Sequence, residues 1–94
     1  MPLERSDAEK LLKEIAGWTL SEDGKRIMRD FSFKNFVEAI QFANEITPIA
    51  EAEGHHPDLS IGWGRVQVAL STHTVGGLSE NDFILAAKIN ELPL

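Results

Sequence analysis

The apolar residues of this chain change period four times along its 94 positions, and the order of those changes limits the fold more than any single motif does. Ala8, Leu11, Leu12 and Ile15 recur at the spacing of an amphipathic helix. In front of them, Ser6-Asp7-Ala8-Glu9 matches a capping box, in which Ser6 and Glu9 are expected to satisfy each other's free backbone amides. Gly17 suits the left-handed position behind such a helix. Trp18 and Leu20 then alternate with polar neighbours, Asp23-Gly24 marks a turn, and Ile27, Phe31 and Phe33 share one parity with Arg29 interrupting. Residues 18–33 read as a β-hairpin.

Helical period returns over 35–53. Phe36, Ala39, Ile40, Ala43, Ile46 and Ala50 form one stripe, widened by Val37, Phe42 and Ile49. Pro48 lacks the amide its turn needs, so one kinked helix closed by Gly54 is expected. The apolar arc is wider than a small sheet would cover, which points to helix contacts between subunits. Leu59, Ile61 and Trp63 alternate as a strand, Gly62-Trp63-Gly64 permits a reversal, and Val66, Val68 and Leu70 alternate as the next strand. Ser79-Glu80-Asn81-Asp82 is a second capping box, with Asp82 in the usual Glu position, and it opens a last helix whose core side is Leu85, Ala86 and Ile89. The order is αββαββα. Two hairpins interleaved with helices argue an α+β domain, an antiparallel sheet with helices on one face, spanning 1–94 as a single unit.

Composition removes several classes of function. Nine Lys and Arg against fifteen Asp and Glu leave a net charge of −6, and such a chain lacks the positive field that gathers nucleic acid. Without cysteine there is no disulfide, thiol nucleophile or thiolate metal site. The apolar runs are far short of the roughly 20 residues that span a bilayer. Met1-Pro-Leu-Glu-Arg has no signal or transit character. A soluble, cytoplasmic protein is the expectation.

Chemistry concentrates in one stretch. His55, His56 and His73 lie within nineteen positions, with Glu51, Glu53, Asp58 and Asp82 around them. Histidine both gives and takes protons near neutrality, so two facing one substrate can serve as acid and base. Plainer roles stand beside that one: polar surface for His55 and His56, a helix cap for Asp82, core for Trp63, and a turn for Gly76-Gly77. A zinc site is disfavoured, because the spacing is not His-Glu-x-x-His and neighbouring side chains of an extended segment diverge.

Glu51, three residues, His55-His56-Pro57, five residues, Trp63, nine residues, His73, eight residues and Asp82 form a spacing that resembles the pterin-4a-carbinolamine dehydratases. The segment Thr72-His73 through Gly77-Leu78-Ser79, and Phe31-Ser-Phe-Lys-Asn-Phe, resemble the same family. The resemblance covers nearly the whole chain. It implies a small α+β enzyme with three helices on one face of a four-stranded antiparallel sheet, using neither metal nor organic cofactor. It implies dehydration of 4a-hydroxytetrahydrobiopterin, or a related pterin, to the quinonoid dihydropterin, which recycles the cofactor of aromatic amino-acid hydroxylases.

By that resemblance, His55 and His73 are the acid–base candidates and His56 binds and orients the pterin. Pro57 shapes the loop, Trp63 walls or supports the pocket, and Glu51 and Asp82 polarise histidines or meet the pterin's donors. Members assemble through sheet edges and the central helix as dimers or dimers of dimers. Val75 stands where some animal members have cysteine, and Pro48 interrupts the helix linked to higher assembly, so a homodimer is expected before a tetramer. Animal members also act as dimerisation cofactors for a homeodomain transcription factor. Some bacterial relatives are non-catalytic assembly factors for a carbon-fixing enzyme, typically with eroded histidines. The intact histidine set here favours catalysis over an assembly role.

Overall fold

The first apolar stripe forms helix α1, Arg5–Leu12, in a computed structural model that describes residues 1–93. The helix begins two residues earlier than the capping box requires. Glu4 is its N-cap and makes no side-chain cap bond, while Ser6 lies inside the first turn. Tertiary contacts explain the shift. The Leu3 amide donates to the Leu78 carbonyl at 2.8 Å, and the Arg5 guanidinium donates to the Glu22 carbonyl, so the chain is pinned before Ser6 can act as a cap. The regular helix stops at Leu12, well short of Gly17. Gly17 does take a left-handed conformation, with φ of 89°. A Cβ there would sit 2.7 Å from Nε of Arg29, so no other residue fits without displacing that side chain.

Strands β1 (Thr19–Leu20) and β2 (Ile27–Ser32) pair antiparallel around the Asp23-Gly24 turn. Arg29, the polar interruption on the core side of β2, has a structural reason. Its guanidinium donates to the Ala16 carbonyl at 3.0 Å and to Asn90 Oδ1 at 2.6 Å, and lies 4.4 Å from the centroid of the Phe31 ring. Asn90 Oδ1 also accepts from Trp18 Nε1 at 2.9 Å. A polar knot thus ties the connection between α1 and β1, strand β2 and Asn90 of the last helix together.

Helix α2 runs unbroken from Phe36 to Glu53 through Pro48, capped by the Asn35 side chain on the Glu38 amide and closed by Gly54 at φ of 61°. Ala39, Phe42, Ala43, Ile46 and Ala50 are buried, but Phe36 and Val37 of the first turn are exposed. Strands β3 (Asp58–Gly62) and β4 (Arg65–Leu70) form the second hairpin. The four strands are antiparallel in the order β1-β2-β4-β3. Pairing of Ile27 with Leu70 and Phe31 with Val66 places the buried residues of both central strands on the side facing the helices. Phe31 meets Phe42 of α2 there, with ring centroids 4.6 Å apart.

Helix α3 (Glu80–Asn90) completes the layer with Phe83, Leu85, Ala86 and Ile89 buried. The architecture is therefore three helices on a four-stranded antiparallel sheet in αββαββα order, as the periodicity predicts. The edge strand β3 is less well covered, with Leu59 and Ile61 still 36% and 40% exposed. Among the described residues, no helix is long and apolar enough to cross a membrane.

Candidate active site

Antiparallel pairing puts the start of β3 and the end of β4 at one end of the sheet, with Asp58 opposite Ala69. The segment entering β3 is His55-His56-Pro57, turned out of α2 by the left-handed Gly54. The segment leaving β4 is Ser71-Thr72, followed by a single 3-10 turn, His73–Val75. Helix α3 also starts at this end. Three elements thereby deliver all three histidines and Asp82 to one region, although His55 and Asp82 are 27 residues apart in sequence.

Asp82 organises the region. Its side chain is fully buried. Oδ1 meets His55 Nε2 at 2.5 Å, while Oδ2 accepts from the Thr72 hydroxyl at 2.8 Å and from the Ser79 amide at 3.0 Å. The last of these contacts is half of a capping box at the start of α3. The cap role and the histidine contact therefore coexist, one on each oxygen. With the carboxylate accepting, His55 Nε2 carries the proton, which leaves the Nδ1 lone pair free to take one. His55 itself is mostly buried.

His56 and Glu51 form a second pair, also at 2.5 Å between Nε2 and Oε2, but with side chains 63% and 67% exposed. Pro57 lines a cavity of about 180 Å³ with Ile46, Ala50 and Leu59, and Glu51 and His56 border it as well. His73 is exposed and makes no side-chain hydrogen bond among the described residues. It borders an open basin of about 390 Å³ that also contains Asp58 and Thr72, with Asp23, Lys25 and Arg26 reaching in from the β1–β2 turn. The Ser21 hydroxyl and the Lys25 amide hold the Asp23 carboxyl below the ordinary carboxylate range.

Trp63 is not brought to this region. It sits in the β3–β4 turn, at the opposite end of the hairpin, and is 72% exposed, so it is not core. A larger groove of about 510 Å³ runs between α2 and α3 past Pro48, Ile49, Lys88 and Leu92, but it contains no histidine. Sequence reasoning gave no role to Thr72, to Ser79 beyond its cap, or to Asp23, Lys25 and Arg26. The Thr-His adjacency was the available signal for Thr72, whereas nothing in the local pattern marks the hairpin turn.

Comparison with known proteins bears on this geometry. The family model described as pterin 4 alpha carbinolamine dehydratase matches residues 1–92. A protein of Halorhodospira halophila, provisionally named a pterin-4-alpha-carbinolamine dehydratase, is 47% identical over 97% of this chain and 84% of its own length. The crystal structure of a transcriptional coactivator/pterin dehydratase from Brucella melitensis superposes with a TM-score of 0.89 at 33% identity, covering 96% of both chains. A pterin dehydratase-like protein identified as a RuBisCO assembly factor in the alpha-carboxysome shares the fold at a TM-score of 0.66 and 20% identity, over 79% of this chain and 86% of that one.

Proposed function

The chain belongs to the pterin-4-alpha-carbinolamine dehydratase family of hydro-lyases, and we propose that it converts 4a-hydroxytetrahydrobiopterin, or a close pterin relative, to the quinonoid dihydropterin and water. The observation that carries this reading is the buried contact between Asp82 and His55, joined through Thr72 to the loop of His73. The C4a–O bond breaks with its electron pair going to oxygen, which takes up a proton and leaves as water. The N5–H bond breaks, and its electrons form the C4a–N5 double bond. One proton is delivered and one removed, so the reaction is redox-neutral and asks only for an acid and a base.

His55 and His73 supply that pair. Asp82 fixes the His55 ring and its tautomer, with Nδ1 presented as the proton-accepting atom. His73, on the exposed 3-10 turn at the rim of the basin, exchanges protons with the other side of the substrate. His56, held by Glu51, binds and orients the pterin, and Pro57 fixes the direction in which that loop leaves α2. Recycling of a tetrahydropterin cofactor, a cytoplasmic location and a homodimeric assembly belong to the same proposal. The intact set of three histidines favours catalysis over an assembly role, since a pure scaffold has no need of it.

The test is the dehydration of freshly generated 4a-hydroxytetrahydropterin, followed by ultraviolet absorbance. We expect acceleration by the wild type, with His55→Ala and His73→Ala each lowering turnover by about 10²–10⁴-fold. Folded protein that leaves the spontaneous rate unchanged would return the chain to an assembly role.

A further inference from the structure

We propose that Thr72 is a positioning residue for the dehydration, holding His55 and the His73 turn in one arrangement through a single hydroxyl. The inference rests on the dehydratase reading above. Thr72 Oγ1 lies 2.8 Å from Asp82 Oδ2 and 2.7 Å from Ser79 Oγ. A carboxylate can only accept, so the one hydroxyl proton of Thr72 goes to Asp82. Ser79 must then donate its own hydroxyl proton to Thr72. The protons are thereby ordered along one line, from Ser79 to Thr72 to Asp82, with His55 Nε2–H donating to the other carboxylate oxygen.

The backbone of Thr72 completes the arrangement. Its amide donates to the Gly77 carbonyl at 2.7 Å, and the Gly77 amide returns a longer bond of 3.4 Å to the Thr72 carbonyl. These bonds close the loop that carries His73 on its first turn. Thr72 therefore sits at the root of one histidine's loop while its side chain fixes the carboxylate that holds the other. Asp82 has no solvent exposure, so a lost donor at Oδ2 cannot be replaced by water without opening the site. The expected consequence is loss of His55 orientation and of its single tautomer, with substrate affinity little changed.

Thr72→Val keeps the shape and removes the proton, and Thr72→Ser keeps the proton. We expect Thr72→Val to lower kcat by about 10–100-fold, the worth of one hydrogen bond to a buried charge, with KM within about threefold, and Thr72→Ser to restore most of the rate. Nitrogen chemical shifts of ¹⁵N-labelled histidine give a readout independent of turnover. His55 should show a fixed Nε2–H tautomer in the wild type and an averaged one in Thr72→Val. Wild-type kcat in Thr72→Val with the His55 tautomer intact would overturn the proposal. If Thr72→Val does not fold, the wild type decides. A slowly exchanging Thr72 hydroxyl proton supports the proposal, and one that exchanges freely with water refutes it. Should the wild type fail to dehydrate the pterin, the functional reading falls, and the tautomer measurement still tests the role of Thr72.

Discussion

Two histidine–carboxylate pairs of the same length occupy this end of the sheet, and they do different work. His55–Asp82 and His56–Glu51 both measure 2.5 Å between nitrogen and oxygen. The first has side-chain exposures of 15% and 0%, the second 63% and 67%. Water solvates and screens the exposed pair, so its contribution to stability falls in the range of about 0–1 kcal/mol. The buried pair cannot be dissolved by water. Removing one of its partners leaves polar groups without replacement and costs about 3–5 kcal/mol. Asp82 also caps α3, whereas Glu51 is one exposed residue within α2. Distance does not rank these interactions. Burial and the number of elements joined do.

The largest effect that would break this comparison belongs to Asp82. Asp82→Ala should lower the unfolding free energy by about 3 kcal/mol and turnover by at least 10²-fold, read from urea denaturation and the pterin assay together. An unchanged denaturation midpoint would show that burial does not decide the matter. Glu51→Gln should change stability by less than about 1 kcal/mol and turnover by less than about tenfold. Its effect should arise in KM, since the proposed mechanism has His56 orient the pterin rather than react. A kcat loss as deep as that of Asp82→Ala would make the two pairs equivalent.

The smallest effect is at Asp23, whose carboxyl the Ser21 hydroxyl and the Lys25 amide hold below the ordinary carboxylate range. A depressed carboxylate adds stability above the unfolded pKa and loses it as pH falls through the folded one. Asp23→Asn should therefore be slightly less stable than wild type at neutral pH, with the difference fading as pH falls through the folded carboxyl's pKa. Parallel denaturation midpoints taken stepwise from pH 7 into strong acid check this, and a gap that never narrows would rule out the charge as its cause.

The order of elements was legible because apolar period is a local property: Ala39, Ile46 and Ala50 face the sheet as their spacing requires. Caps were legible only where nothing distant competed. Ser79-x-x-Asp82 is a cap in fact, while Ser6-x-x-Glu9 is overridden by the Leu3 and Arg5 contacts that fix the chain earlier. Trp63 shows a second limit, since its strand parity is correct but the strand ends before it. The candidate site followed the same division. Spacing singled out the histidines and Asp82 as candidates, whereas the His55–Asp82 contact spans 27 positions and the partner of the Thr72 hydroxyl is set by the fold. No local pattern encodes that partner.

Pro48 gives α2 an internal seam. Without its amide, the hydrogen bond to the Asn44 carbonyl is missing, although Thr47 reaches back toward the Ala43 carbonyl at 3.5 Å. A helix is protected from amide exchange in units set by its ladder, and a missing rung lets the segments on either side open separately. Residues 49–53, which end beside His55 and His56, thus form a short unit coupled more weakly to the Phe42–Ile46 anchor than helix length alone implies. Deuterium should enter those amides well before it enters the first half of the helix, so the segment that carries Glu51 can breathe while the core beneath it stays closed.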